Sequence, residues 1–390
     1  MKIQRLVFWV LFLSVAGIIS CDKGETVPTA VNERTLFMYM PWSTNLTDYF
    51  YNNIADMEKA ISQEGLDGER VLVFLSTSPL QAELFEIVCD DGACTRNVLK
   101  EYESPEFTTE EGLTAIIGDV KAFAPAPNYA MIIGCHGMGW LPVETGRGRS
   151  QEVFRYHWDY PDMPMTRFFG GLSSEYQTDV TTLARSIADC GLKMDYILFD
   201  DCYMSSLEVA YDLRHVTDYL IACPTEVMVY GMPYATMGPY LLSARPDYEA
   251  VCNAFYQFYS NYRYPYGTLA VTDCSKLDDL AGMMKQIHLD YEIDPIKVKD
   301  IQRMDGYSPV IFYDFGDYVR TLCSDDAEIM ARFNALMDEV VPYKVHTEKF
   351  YTASRGPLSV GEYSGITTSE PSTNLKAQSY LQTSWYRDTH

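Results

Sequence analysis

The chain has 390 residues, 47% of them hydrophobic, which is enough to bury a large core and to allow two or three domains. Asp and Glu outnumber Lys and Arg by 54 to 30, a formal charge of −24, and no basic stripe interrupts the excess. Such a surface excludes nucleic acid as a partner, favours solubility, and attracts a basic peptide over a distance.

The first element is a leader. Lys2 and Arg5 precede the apolar run "LVFWVLFLSVAGIIS" at 6–20, which is too short and too closely followed by polar residues to span a membrane. It ends in Ser20-Cys21, a pair that resembles a bacterial lipobox. On that reading residues 1–20 are removed, Cys21 is lipidated, and "CDKGETVPTAVNER" at 21–34 is a polar tether. The expected location is the bacterial cell envelope, outer membrane or surface, with the lipid anchor as the only membrane contact. Ordinary signal cleavage and a secreted product is the alternative.

From residue 35 apolar strands alternate with helices. Strands are predicted at 35–40, 70–77, 129–135, 195–200, 218–223 and 268–274. Helices are predicted at 47–62 with Thr47 as a candidate cap, at 108–123, at 178–191 ending on Gly191, and at 206–214, 248–262 and 326–341. Around "DDG" at 90–92 two runs read as a hairpin, with Cys89 and Cys94 placed to bridge across it. This rhythm predicts an α/β fold, a mainly parallel sheet with helices on both faces. Residues 35–245 form its core, and 246–390 form a C-terminal helical extension packed on it. Between "IIGCHGMGW" and the helix near 178 lie roughly forty residues with little periodicity, a length that in a compact domain marks a functional or cleaved loop.

Parallel sheets present ligands at the carboxyl ends of their strands. The strand at 129–135 delivers His136-Gly137 to that edge, and the strand at 195–200 delivers Asp201-Cys202. A thiol nucleophile needs an imidazole to take its proton, and the imidazolium then offsets the neighbouring acids. Cys202 is expected at the start of a helix, whose dipole favours the thiolate, with Asp201 as the helix cap. The backbone N–H groups of Gly137 and Cys202 are candidates for an oxyanion hole. Cys135 alternates with His136 and reads as core, as do Cys190 and Cys223. The ten cysteines contain no C-x-x-C, no His lies near a Cys pair, and no EF-hand loop is present. No metal or cofactor is expected, with calcium left undecided.

"IIGCHGMGW" and "ILFDDCYMSSLEVAY" resemble the His-Gly and Asp-x-Cys blocks of clostripain-family cysteine peptidases, relatives of caspases, gingipains, legumains and separase. "TLFMYMPWSTNL" is similar to that family's first strand and turn, "GMPY" at 231–234 to the segment after the strand that follows the Cys block, and "SYLQTSWYRDTH" to its closing helix. The resemblance implies a caspase-like fold and hydrolysis of peptide or protein substrates, with His136 as general base, Cys202 as nucleophile and a thioacyl intermediate. It implies that Asp200 lines the pocket for an Arg or Lys at P1. The chain departs from the basic-specific pattern before "GMPY", where Met228 and Tyr230 stand in place of an acid and Glu226 lies further back. The resemblance also implies cleavage between the His and Cys blocks, with Arg147 and Arg149 as candidate self-cleavage positions. A non-catalytic peptide-binding surface lipoprotein on the same fold is the alternative, and acyl transfer to an amine is a third.

Overall fold

The protein is described here by a computed structural model covering residues 32–66, 68–143, 170–323 and 326–390. The expected leader at 1–20, Cys21, Arg147 and Arg149 lie outside the described residues. The first half of the chain runs β1 (Arg34–Met40), α1 (Thr47–Glu64), β2 (Glu69–Ser78), β3 (Gln81–Asp90), β4 (Ala93–Glu103), α2 (Glu110–Phe123) and β5 (Asn128–Ile133). It continues α3 (Val180–Asp189), β6 (Met194–Phe199), α4 (Leu207–Leu213), β7 (Thr217–Ala222), α5 (Tyr234–Leu241), α6 (Tyr248–Asn261), β8 (Thr268–Asp273) and α7 (Leu277–Asp290). It closes with β9 (Tyr313–Asp314), α8 (Phe315–Cys323), α9 (Ala327–Val340), β10 (Tyr343–His346), β11 (Lys349–Thr352), β12 (Gly356–Ser359), β13 (Thr367–Thr368) and α10 (Ser384–Thr389).

Nine strands make one sheet in the spatial order β10-β8-β7-β6-β5-β1-β2-β3-β4. The five central strands β7, β6, β5, β1 and β2 are parallel. Their sequences explain this: every residue of β1 is buried, and β5, β6 and β7 end in buried apolar runs, as strands covered on both faces require. The flanks are antiparallel. On one side β2 turns into β3 and β3 into β4, whose mostly exposed sequence suits an edge. A disulfide joins Cys89 and Cys94 across that turn, with the Cα atoms 4.0 Å apart.

On the other side β8 pairs with β7 and β10 with β8. The sequence pattern foretells β8 but not β10, because "YKVH" is four residues long and only partly buried. Residues after 245 thus add two strands to the sheet as well as helices.

Helix ends follow local chemistry. Thr109 caps α2 by accepting from Gly112 N–H, and Gly191 terminates the α3 segment at φ +63°. Thr47 is not a cap: it is the first helical residue of α1, preceded by Leu46. Among the described residues no helix is long and apolar enough to cross a membrane.

At the amino-terminal edge of the sheet the buried Arg34 ion-pairs with Glu69 of β2 and, at 3.5 Å, with Asp195 of β6. It also donates to the carbonyls of Leu241 and Ser243. The opposite edge, where β1, β5 and β6 end, carries the candidate chemistry.

Candidate active site

The register of β5 and β6 brings the two candidate residues together. Ile133 lies opposite Phe199, and Asp200 N–H donates to Ile133 O at 2.8 Å. His136 and Cys202 each follow three residues beyond that matched pair. Both are fully buried. Between them the backbones touch. A methyl group built on Gly137 would lie 2.3 Å from Cys202 O and 2.7 Å from Cys202 N, closer than any side chain tolerates. Glycine at 137 is what lets the histidine strand end lie directly against the cysteine turn.

Each candidate side chain is held by a group that the sequence pattern did not single out. His136 Nε2 contacts Oδ1 of Asn45 at 2.8 Å. An amide oxygen only accepts, so Nε2 carries the proton and Nδ1 the lone pair. His136 N–H donates to Gly170 O at 3.2 Å, which ties the strand end to the chain returning toward α3. The Sγ of Cys202 accepts from Val227 N–H at 3.2 Å. A donor on sulfur favours the thiolate over the thiol.

Two bulky residues beside the site adopt left-handed backbone. Thr44, next to Asn45, has φ 72°, and Tyr203, next to Cys202, has φ 62°. Such conformations cost on the order of 1–3 kcal/mol each and persist only where surroundings enforce them. Around Tyr203 the enforcement is visible. Its N–H donates to Thr225 O at 3.1 Å, and its hydroxyl donates to Glu226 at 2.7 Å. Its ring stacks on Phe312 at 4.9 Å. Glu226 in turn accepts from Ala353 N–H at 2.9 Å. The turn after the cysteine is therefore braced by residues from both the parallel core and the C-terminal third.

Two expectations about this turn are corrected. Cys202 does not begin a helix. A tight turn follows it, and α4 starts at Leu207, capped by Ser206, whose hydroxyl accepts from Val209 N–H at 3.3 Å. The donor on the sulfur is Val227 N–H, not a helix dipole. Asp201 is not a helix cap either. Its Oδ1 accepts from Cys135 N–H at 2.6 Å, and its Oδ2 contacts the Cys135 thiol at 3.4 Å. It pins the end of β5 to the cysteine turn.

Asp200 is fully buried. Its two oxygens accept from Met232 N–H at 3.0 Å and from the Tyr234 hydroxyl at 3.1 Å, so the "GMPY" segment closes over this carboxylate. Each acid beside Cys202 is thus engaged by a group other than its sulfur. Cys223 shows what the same acids do to a neighbouring buried thiol: burial first, then the charges of Asp200 and Asp201, push it well above its ordinary range. Cys135 lines a small apolar cavity with Tyr39, Phe107 and Tyr176. Asn45 is the functional candidate that sequence reasoning missed. The strand-end rule that selected His136 and Cys202 applies to it too, since it lies in the turn after β1.

Comparison with known proteins gives a consistent result. A family model described as "Clostripain family" matches residues 38–383. Among solved structures, a secreted C11 cysteine protease from Bacteroides thetaiotaomicron is similar at 50% identity and a TM-score of 0.85, covering 92% of this chain and 99% of its own. A clostripain from the same organism, in complex with the peptide inhibitor BTN-VLTK-AOMK, is similar at 56% identity and a TM-score of 0.56, over 57% of this chain and 99% of its own. An inactive zymogen C11 protease from Parabacteroides distasonis is similar at 28% identity and a TM-score of 0.77, over 93% and 99%. Comparison with curated protein sequences gave no match.

Proposed function

The chain belongs to the clostripain family of cysteine peptidases, and from that premise we propose that His136 and Cys202 are its catalytic dyad. The observation that carries this reading is the contact of Gly137 with the Cys202 backbone, which joins the two strand ends. In the proposed mechanism Nδ1 of His136 takes the Cys202 proton, with Asn45 holding the ring from the other side. The sulfur, supported by Val227 N–H, attacks the scissile carbonyl. The N–H groups of Gly137 and Cys202 receive the negative charge that develops on oxygen. His136 returns the proton to the leaving amine, and water, activated by the same imidazole, releases the thioacyl chain. Thiol-directed peptide labelling tests the assignment. Labelling and turnover should vanish in Cys202→Ala, and turnover should vanish in His136→Ala. Persistent turnover in either variant overturns the dyad, and absence of turnover in the wild type would leave a peptide-binding module.

The preferred residue before the cut is proposed to be basic, with Asp200 as the negative charge beneath the pocket, acting on the substrate through the segment at 231–234 that covers it. Support comes from the position of Asp200 two residues before the nucleophile, and from the similar clostripain, whose inhibitor peptide ends on lysine. An unbiased peptide library cleaved mainly after non-basic residues would sink this proposal.

Self-processing after Arg147 or Arg149 is proposed because both lie in the β5–β6 connection, between the dyad residues, and because a similar protease occurs as an inactive zymogen. Mass spectrometry of the wild type beside Cys202→Ala decides it: equal cutting in both, or none in either, rejects the idea. Anchoring through Cys21, with 21–34 as tether to a 35–245 core and its 246–390 partner region, is the proposed arrangement at the envelope. Detergent-phase partitioning that survives Cys21→Ala would refute the anchor.

A further inference from the structure

Away from the dyad, three side chains distant in sequence converge. His288 lies in the last turn of α7, Glu370 follows β13 by two residues, and His390 follows α10. One ligand atom from each lies within 4.8 Å of the others. The geometry points to a divalent transition-metal site, of which Zn2+ is the natural occupant, with His288 Nε2, Glu370 Oε1 and His390 Nε2 as ligands.

The surrounding bonds favour this assignment. Nδ1 of His288 sits 3.0 Å from Thr389 O, a carbonyl that only accepts, so Nδ1 carries the proton and Nε2 the lone pair. Nδ1 of His390 lies 3.2 Å from Thr389 Oγ1 and 3.3 Å from Tyr386 O, while its Nε2 faces Glu370, so Nε2 is the ligand nitrogen once the metal displaces its proton. Backbone carbonyls on the far nitrogen are the outer-shell arrangement that orients histidines toward a metal. Glu370 is prepared in the same way: the Tyr380 hydroxyl donates to Oε2, which leaves Oε1 toward His390 Nε2 at 3.1 Å. The histidine rings stack at 4.2 Å, and Tyr386 stacks on the other face of His390 at 4.1 Å, which keeps the two imidazoles side by side.

Two imidazoles and one carboxylate suit zinc, with water completing four-coordination. Bond lengths near 2.0–2.1 Å place neighbouring tetrahedral ligands roughly 3.3 Å apart. The His390–Glu370 pair, at 3.1 Å, is close to that spacing, and binding requires His288 to leave its stack on His390 and its 3.4 Å contact with the Tyr318 hydroxyl and to turn Nε2 toward the pair. Bound metal would clamp α7 and α10 to the segment after β13. That segment is itself anchored to α4, since Glu208 accepts from Ser369 N–H at 2.9 Å. The clamp therefore stabilises the wall behind the cysteine turn without entering the chemistry.

The test uses chelator-stripped Cys202→Ala protein, which removes the reactive thiol as a competing ligand. Zn2+ titration by calorimetry should show one equivalent bound at micromolar affinity or tighter. At a hundredfold excess over Kd, Tm should rise by ~3 °C. His390→Gln and His288→Gln should each lose at least about 10–100-fold in affinity. His390 follows the last helix and packs on no core strand, so His390→Gln serves if His288→Gln folds poorly, with its zinc response measured from its own metal-free Tm. Co2+ in place of zinc should give nitrogen/oxygen-type visible bands without sulfur charge transfer. No saturable equivalent in Cys202→Ala, unchanged affinity in His390→Gln, or a sulfur charge-transfer band would each overturn the site.

Discussion

Gly137 leaves no space for a methyl group, because the carbonyl and amide of Cys202 occupy it. Gly137→Ala must separate the two strand ends, misplacing both N–H groups proposed for the oxyanion hole. The expected result is a fall in kcat on the order of 10²-fold or more, since loss of one such donor alone costs that much. Titration with an irreversible thiol reagent should show the label still entering, more slowly. Asn45 acts one step removed: it fixes which nitrogen of His136 carries the proton. Asn45→Ala should lower kcat by about tenfold or more with KM little changed, and alter the acidic limb of the pH–rate profile. A purely structural role would instead lower Tm and leave that limb in place. Tyr203, strained and buried, stays a neutral donor to Glu226, because burial first and then the Glu226 charge raise its hydroxyl well above the usual range.

Helix α4 follows the cysteine turn and contains a buried acid. Burial raises the Glu208 carboxyl to about 7, an effect only partly opposed by the Ser369 N–H, Ser206 and Thr368 bonds. Its folded-state value lies above the ordinary 4.5, so the protonated form is the one the fold prefers. That contribution is complete below pH 4.5 and is lost as pH rises through about 7. Denaturant titrations of Cys202→Ala should show stability declining across this window by about 3 kcal/mol at most from this group. Glu208→Gln should flatten much of the slope. Some slope should remain, because burial raises Asp305 and Asp314 to about 6 in the same direction. A slope unchanged in Glu208→Gln would show that the carboxyl is solvated in solution.

At the scale of the whole molecule the charge of −24 predicts a long-range attraction for cationic peptides. Raising ionic strength from about 10 to 300 mM shortens the Debye length from roughly 30 to 6 Å. The value of kcat/KM for lysine- or arginine-rich peptides should then fall several-fold, while neutral peptides of the same cleavage sequence change little. Equal salt dependence for both would remove the steering role. The same scale explains why the C-terminal third matters to the site. Phe312 stacks on Tyr203, Ala353 N–H meets Glu226, and Ser369 accepts from the Trp140 indole at 2.8 Å. Three segments after residue 300 thus wall in the proposed dyad, whose residues follow β5 and β6.

Much of this was legible in the chain alone. Apolar runs bounded by turns located all five parallel strands, since a strand buried on both faces must be apolar throughout. The strand-end rule led directly to His136 and Cys202, because parallel strands deliver their next residues to one edge. Local pattern did not carry the short edge strand β10, the turn between Cys202 and α4, or the partners of Asp200 and Asp201. These depend on contacts between residues far apart: Asp201 lies 66 positions from Cys135, and Asp200 lies 32 from Met232. The grouping of His288, Glu370 and His390 is of the same kind, its histidines lying 102 positions apart. Periodicity reports how one segment meets a core. Which polar groups meet each other is decided only when separate segments pack, and there the buried acids and imidazoles must find donors and acceptors.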